Sequence, residues 1–281
     1  MDRRPSRRSP TGRPGRHRPV ALPPRYDGDH RSGSGHLRWT ERHLPGSRHA
    51  DLTGRLSDPE ASHHFAAPSS RAVAVALARL GVGEGSEVVT YDNGGGIWAA
   101  RLWWTLQAIS VPAAVLDGGL AAWEAAGHPV AVGTRPELAP TGTPITPVPR
   151  PGMWTDLRDV AAISRGERPG TLVCALPAGG YAGTVPTRYS RRGHIPASRS
   201  LPGRELLDSE GHFLPVPELA ARIDAVLGSS DPPVVLYCGG GVSAAVVALA
   251  LTLLGRDDVS VYDGSLEEWS KDPALPLEPG G

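Results

Sequence analysis

The sequence predicts an α/β protein built from two similar units, each a mostly parallel sheet flanked by helices. Three observations carry this expectation: an internal repeat, a strand, glycine turn and helix in the same order inside each copy, and a proline-rich stretch between the copies. The repeat is dense. Val88-Val89-Thr90-Tyr91-Asp92 leads into Gly94-Gly95-Gly96, and Val234-Val235-Leu236-Tyr237-Cys238 leads into Gly239-Gly240-Gly241. Further on, Leu116-Asp117-Gly118-Gly119-Leu120 with Trp123 matches Tyr262-Asp263-Gly264-Ser265-Leu266 with Trp269. Tyr91, Asp117 and Trp123 recur 146 positions later as Tyr237, Asp263 and Trp269, while His43-Leu44-Pro45-Gly46 recurs as His194-Ile195-Pro196-Ala197.

Taken in chain order, residues 1–35 are rich in Arg, Pro, Ser and Gly, with almost no large apolar side chain before Val20. Such a segment buries too little surface to offset the entropy of ordering, so it is expected to be a disordered tail. Its Pro and Gly content argues against the amphipathic helix of a transit peptide. The N-terminal unit is expected over residues 36–132, with a helix at Arg71 to Leu80, a strand at Glu87 to Tyr91, a helix at Ile97 to Ile109 and a strand at Ala113 to Leu116. Before its His-x-Pro turn, only Val20-Ala21-Leu22 offers a strand, so this sheet is expected to lack an edge. Residues 133–152, rich in proline and without helical or strand pattern, form the expected linker. The C-terminal unit, residues 153–277, repeats the pattern with a helix at Val216 to Leu227, a strand at Val234 to Tyr237, a helix at Val242 to Leu254 and a strand at Val259 to Tyr262.

Composition narrows the function. Lys and Arg total 29 and so do Asp and Glu, so net charge gives no reason to expect a nucleic-acid or membrane partner, although eleven arginines crowd into residues 1–42. The longest apolar run, Ala244 to Leu254, is about half of what spans a bilayer. Two cysteines, Cys174 and Cys238, are too few for a disulfide framework, and a cytoplasmic location is expected.

The two copies differ at one chemically telling position. Each glycine turn falls at the carboxyl end of a parallel strand, where ligands bind in such sheets, and successive amides at the following helix start favour an anion. The first copy puts Asp92 there and the second Cys238. A thiol in that nest is expected to be activated as thiolate, whereas a carboxylate cannot attack sulfur, so chemistry is expected in the second unit, with Asp92 capping its helix.

At this point the chain, over about residues 36–277, resembles the tandem-domain rhodanese family of sulfurtransferases. The resemblance rests on the two His-x-Pro turns, the duplicated Asp-Gly-Gly/Ser-Leu-x-x-Trp box and Cys-Gly-Gly-Gly-Val-Ser at 238 to 243. It implies double displacement: Cys238 takes a sulfane sulfur from thiosulfate or 3-mercaptopyruvate, becomes a persulfide, and passes the sulfur to cyanide or a thiol. It implies no metal and no organic cofactor, a small-molecule donor and acceptor as partners, and a monomer. The amides of Gly239, Gly240, Gly241, Val242 and Ser243 would cradle the persulfide. Ser243 either caps the following helix or also donates its hydroxyl.

The neutral loop leans to the mercaptopyruvate type, with Gly240 where that type has serine. The usual Asp-x-Arg strand end is replaced by Cys174-Ala175-Leu176, and Gly180 stands where an arginine is usual. Arg188 is the candidate for binding the donor's carboxylate or thiosulfonate, by bidentate geometry. His43 and His194 are expected to fix loops, Cys174 to be structural, and Trp98, Trp103 and Trp104 to pack against the other unit. The competing reading is a rhodanese-like binding or redox-sensing module without turnover. A cysteine phosphatase needs an arginine six residues after its cysteine, where Ala244 stands.

Overall fold

The computed structural model describes residues 17–21, 34–134, 143–228 and 233–280. The described residues form two all-parallel sheets. The first contains β1 (His17–Ala21), β2 (Arg48–His49), β3 (Glu87–Tyr91) and β4 (Ala113–Val115) in the order β2-β1-β3-β4. The second contains β5 (Trp154–Thr155), β6 (Thr171–Cys174), β7 (Arg199–Ser200), β8 (Val234–Tyr237) and β9 (Val259–Tyr262) in the order β5-β9-β8-β6-β7. Parallel neighbours need crossovers. In the first half these are α1 (Ser34–Glu41), α2 (Ser70–Arg79) and α3 (Ile97–Gln107), and α4 (Gly119–Ala125) follows the last strand. In the second they are α5 (Leu157–Ser164), α6 (Ala178–Tyr181), α7 (Val216–Leu227) and α8 (Ala244–Leu253), and α9 (Ser265–Trp269) follows the last strand.

The helices start where local chemistry lets them. Ser69 accepts from the Ala72 amide at the head of α2, and Asp156 accepts from Asp159 at the head of α5. α7 carries Pro217 in its first turn, where no N–H is needed, and stops at Gly228, whose φ is +71°.

Residues 17–21 correct the sequence reading in two ways. Within the segment expected to be a disordered tail they form β1, and the first sheet therefore does not lack the strand that was missed. β1 pairs with β3 along its whole length, from His17 opposite Glu87 to Ala21 opposite Tyr91. β2 reaches only Val20 and Ala21, so on that flank no strand stands beside Pro19 whose ladder would need its missing N–H. The rest of residues 1–33 lies outside the described residues, as do residues 135–142 of the expected linker. Residues 143–150 run back along the first half, where Val148 and Arg150 donate to the carbonyls of Ile109 and Ala108.

Strand alternation sets up the site. In the second sheet, Val173, Ala175, Leu236 and Cys238 face one cluster with α7 and α8, while Leu172, Cys174, Val235 and Tyr237 face another with α5 and α9. α8 is apolar and buried from Ala244 to Leu251, covered by its own sheet and by α3 of the other half, and only its last turn, Thr252 and Leu253, is exposed. The two cores interlock there. Trp103 and Trp104 of α3 join the second half's cluster, and Val242 joins the first half's cluster beside Trp98. This is the interface role expected of the three tryptophans.

Candidate active site

The first nest is filled by its own side chain. Asp92, almost fully buried, accepts from the amides of Gly94 (2.7 Å) and Gly96 (2.9 Å) on one oxygen and from Trp98 (2.8 Å) and Ala99 (3.0 Å) on the other. Four backbone N–H groups thus converge on one anion, which the glycines allow: Gly95 and Gly96 sit at φ +82° and +79°.

The second loop holds Cys238 in place of the carboxylate but follows a different backbone: of the counterparts of Gly95 and Gly96 only Gly241 is left-handed (φ +71°), and the Ala245 amide, the counterpart of Ala99, donates to the Val242 carbonyl (3.1 Å). Cys238 is 2% exposed, its amide donates to Ser265 Oγ (3.1 Å), and its carbonyl accepts from Leu266 (3.0 Å). Gly239 in turn accepts from Glu267 (2.9 Å), so α9 clamps the loop at two successive peptides. Among the described residues the amides of Gly240 to Ser243 meet no protein acceptor. Ser243 makes no capping hydrogen bond through its side chain, which removes the capping alternative.

Ser265 explains how the cysteine's own amide is satisfied. Its φ is +49°, a left-handed conformation that L side chains rarely adopt, and it stands where the first copy has Gly119 at φ +57°. The strained backbone lets Oγ accept from Cys238 and donate to the Tyr262 carbonyl (2.9 Å).

Arg188 lies beside the loop, half-buried. A Cβ at Gly240 would stand 2.6 Å from its Nη2 and 3.5 Å from Glu267 Oε2, so a serine at 240 would require the guanidinium to move. Arg188 Nη2 donates to Glu267 Oε2 (2.7 Å), and its guanidinium lies over the Phe65 ring at 5.4 Å. Burial pushes the Glu267 carboxyl up. The hydrogen bond from His64 Nδ1 (2.5 Å) and the Arg188 charge outweigh that push and hold it below the usual range. Tyr189 and Leu176 flank Gly239, so an apolar wall occupies the place where the family pattern has Asp-x-Arg.

Cys174 is completely buried, and burial pushes its thiol up to about 12, with the nearby Cys238 adding to the shift. It faces the opposite side of the sheet from Cys238, and both cysteines are reduced. The structural role expected of Cys174 holds, and a disulfide between the two would have to cross the sheet.

The described residues carry Asp208, Glu210 and His212 as an exposed cluster of potential metal ligands, away from Cys238. Asp208 is already engaged by the amides of Glu210 and His212 in a turn, and no helix among the described residues is long and apolar enough to cross a membrane.

Comparison with known proteins decides the family. The model of the rhodanese-like domain matches twice, at residues 29–126 and 184–272. The chain belongs to the rhodanese family.

Its relatives are sulfurtransferases. A 3-mercaptopyruvate sulfurtransferase of Escherichia coli is 35% identical over 240 residues, covering 84% of this chain and 83% of the relative. Thiosulfate/3-mercaptopyruvate sulfurtransferase 1 of Arabidopsis thaliana, described as mitochondrial, is 33% identical over 258 residues, covering 84% and 67%. Among solved structures, the 3-mercaptopyruvate sulfurtransferase SseA of Escherichia coli superposes with a TM-score of 0.79 at 30% identity, covering 89% of this chain and 92% of that one. The anaerobic ergothioneine biosynthesis enzyme of Chlorobium limicola has a TM-score of 0.81 at 22% identity, covering 98% and 67%, and shares the fold.

The rhodanese repeat also explains the histidines. His43 exchanges backbone hydrogen bonds with Ala131 and stacks on Trp39 at 4.1 Å; His194 does the same with Glu278 and stacks on Tyr181 at 3.8 Å. The Tyr91 hydroxyl accepts from Leu44 and meets Ser47 Oγ, as the Tyr237 hydroxyl accepts from Ile195 and meets Ser198 Oγ. Both histidines are loop fixtures, as expected.

Four residues around the site were missed: Arg101, His63 and His64 from the first half, and Glu267 from the second. Glu267 had a usable signal, because the duplicated box reads Ala121-Ala122 in the first copy and Glu267-Glu268 in the second. Arg101 had one too, as the sole charge in the apolar run Ile97 to Ile109.

Proposed function

We propose that this rhodanese is a sulfurtransferase that carries a sulfane sulfur on Cys238, within a catalytic unit at residues 153–277 joined to a cysteine-free unit at 36–132. The observation that carries the reading is the pair of nests. One backbone cradle binds a carboxylate through four amides, and the matching loop of the second half holds a cysteine beside amides of Gly240 to Ser243 that meet no protein acceptor among the described residues, which supports this reading.

The Cys238 thiolate attacks the donor's outer sulfur. With thiosulfate the S–S bond breaks and sulfite leaves with the electron pair; with 3-mercaptopyruvate the C–S bond breaks and pyruvate forms after protonation at carbon. The terminal persulfide sulfur is then attacked by cyanide or a thiol, and Cys238 leaves again as thiolate. The loop amides from Gly239 to Ser243 stabilise the anion on either side of this exchange. Preorganised donors of this kind, removed singly, cost enzymes about 10²–10³ in rate.

Arg188 supplies the donor-binding charge. Arg188 is already paired with Glu267, and the loop itself has no cationic side chain, so the site favours a singly charged carboxylate donor over the thiosulfate dianion. This favours 3-mercaptopyruvate. The redox-sensing alternative finds no support in geometry, since Cys174 lies behind the sheet.

Side-by-side turnover of thiosulfate and 3-mercaptopyruvate, with cyanide as acceptor, tests both parts. The expected result is higher kcat/KM with 3-mercaptopyruvate and no thiocyanate from Cys238→Ala with either donor. Turnover retained in that variant overturns the role of Cys238, and a preference for thiosulfate overturns the donor assignment alone.

A further inference from the structure

We propose that Arg101, on the cysteine-free half, is a positioning residue for the reaction, holding the Gly241–Val242 peptide so that the Val242 N–H faces the sulfur on Cys238. The inference rests on the sulfurtransferase reading above.

Arg101 lies in the middle of α3, and its side chain is 2% exposed. Burying a guanidinium is costly unless its donors are met, and here acceptors from both halves meet them. Nη1 donates to the Gly241 carbonyl (3.3 Å), and Nη2 donates to the Phe65 carbonyl (2.6 Å) and to Asp263 Oδ1 (2.6 Å). The guanidinium also covers the Trp154 ring at 4.6 Å. Asp263 is fixed in turn by the Ala67 amide (2.6 Å) and His63 Nε2 (3.3 Å). None of these groups touches Cys238 in the sequence pattern, yet the fork ends on the persulfide loop.

The effect on the loop follows from peptide geometry. In a trans peptide the C=O and the next N–H point in opposite directions. A guanidinium that holds the Gly241 carbonyl on the interface side therefore turns the Val242 N–H toward the inside of the nest. At the corresponding position of the first copy the Gly96 amide donates to Asp92 at 2.9 Å, although Gly96 is left-handed (φ +79°) and Val242 is not. The Val242 side chain is buried in the first half's core beside Trp98, so the same peptide is held at both ends by the cysteine-free half. Gly241 has the backbone for this role, with φ +71°, and a Cβ there would stand 2.9 Å from the Asp263 carbonyl and 3.1 Å from Arg101 Nη1. A half without a nucleophile thus contributes to the electrostatics of the reaction.

The test compares wild type, Arg101→Lys and Arg101→Met. Each is loaded with 3-mercaptopyruvate and separately with thiosulfate; intact mass then counts the Cys238 that accepts sulfur and follows its loss over time. Turnover is expressed per loadable site, which removes any fraction lost to misfolding. Arg101→Lys keeps a charge opposite Asp263, but one ammonium cannot span three acceptors. The expected result is turnover per loadable site lowered about tenfold in Arg101→Lys and more in Arg101→Met, with donor KM within about twofold and a persulfide lost faster to solvent. A merely structural role would reduce the number of loadable sites and leave the rate per site unchanged, and that result overturns the proposal. If Arg101→Met does not fold, Arg101→Lys decides alone by the same criterion. A wild type that loads no sulfur, or Cys238→Ala that still turns over, would instead sink the sulfurtransferase reading, so the two failures are distinct.

Discussion

The two loops occupy matching places at the ends of β3 and β8 but differ in backbone turn and in what fills them. In the first half Asp92 takes four amides and closes the site with its own carboxylate; in the second, Cys238 leaves the amides of Gly240 to Ser243 without a protein acceptor among the described residues. One copy fills the cradle with its own helix-capping carboxylate, and the other holds a cysteine in the matching place. The copies also brace each other. Asp117 accepts from the Phe213 amide of the second half, Asp263 accepts from Arg101 of the first, and Arg204 donates to the Gly94 carbonyl as Arg101 does to that of Gly241. The duplicated box therefore ties the halves together, while the divergent positions 92 and 238 divide the labour.

Converting the second nest into the first is the most severe way to test this. Cys238→Asp places a carboxylate beside the amides of Gly240 to Ser243, and sulfur transfer should fall by about 10⁴-fold or more, to background. The folded state should gain about 1 kcal/mol from the new charged hydrogen bonds, read from urea unfolding. A loss of stability instead would show that the second loop's amides do not converge as those of the first do.

Emptying the first nest is the complementary change. Asp92→Ala leaves four buried donors without their acceptor and should cost about 3 kcal/mol, a fall in thermal midpoint of roughly 6 to 12 °C. Turnover per folded molecule should stay near wild type. A stable variant would break the comparison at its structural half.

The cross-braces give the smallest effect and a pH signature. Burial pushes Asp263 up, but Arg101, His63 and the Ala67 amide outweigh it and hold the carboxyl at about 2. Its folded pKa lies below the ordinary 3.8, so its stabilisation is present above pH about 4 and is lost as pH falls toward 2. Across that window wild type should lose about 2 kcal/mol that Asp263→Asn has already lost at neutral pH. Chemical unfolding at several pH values should show the two curves converging as pH drops, and parallel curves would refute the brace.

Much of this was legible in the sequence because the repeat supplied its own control. Strands β3 and β8 and helices α3 and α8 were readable from apolar runs after β-branched runs, and the exchange of Asp92 for Cys238 stood out only once the copies were aligned. β1 was not legible, because His17-Arg18-Pro19 lacks an apolar pattern and its register is supplied by β3, a long-range partner. Arg101 was passed over because a single charge in an apolar run reads as a surface residue until the opposite half covers it. His63 and His64 lie in a loop without periodicity, and only the fold brings them to Asp263 and Glu267, some 200 residues away.

The placement of the second thiol has a further consequence. A persulfide is an oxidant toward any thiol within reach, and an adjacent cysteine would discharge it into a disulfide with release of hydrosulfide. The chain has two cysteines, and the second sheet stands between them as an insulating wall. A sulfur carried on Cys238, as proposed, would meet no second thiol on its own face of the sheet, so its discharge would depend on whatever acceptor arrives from outside.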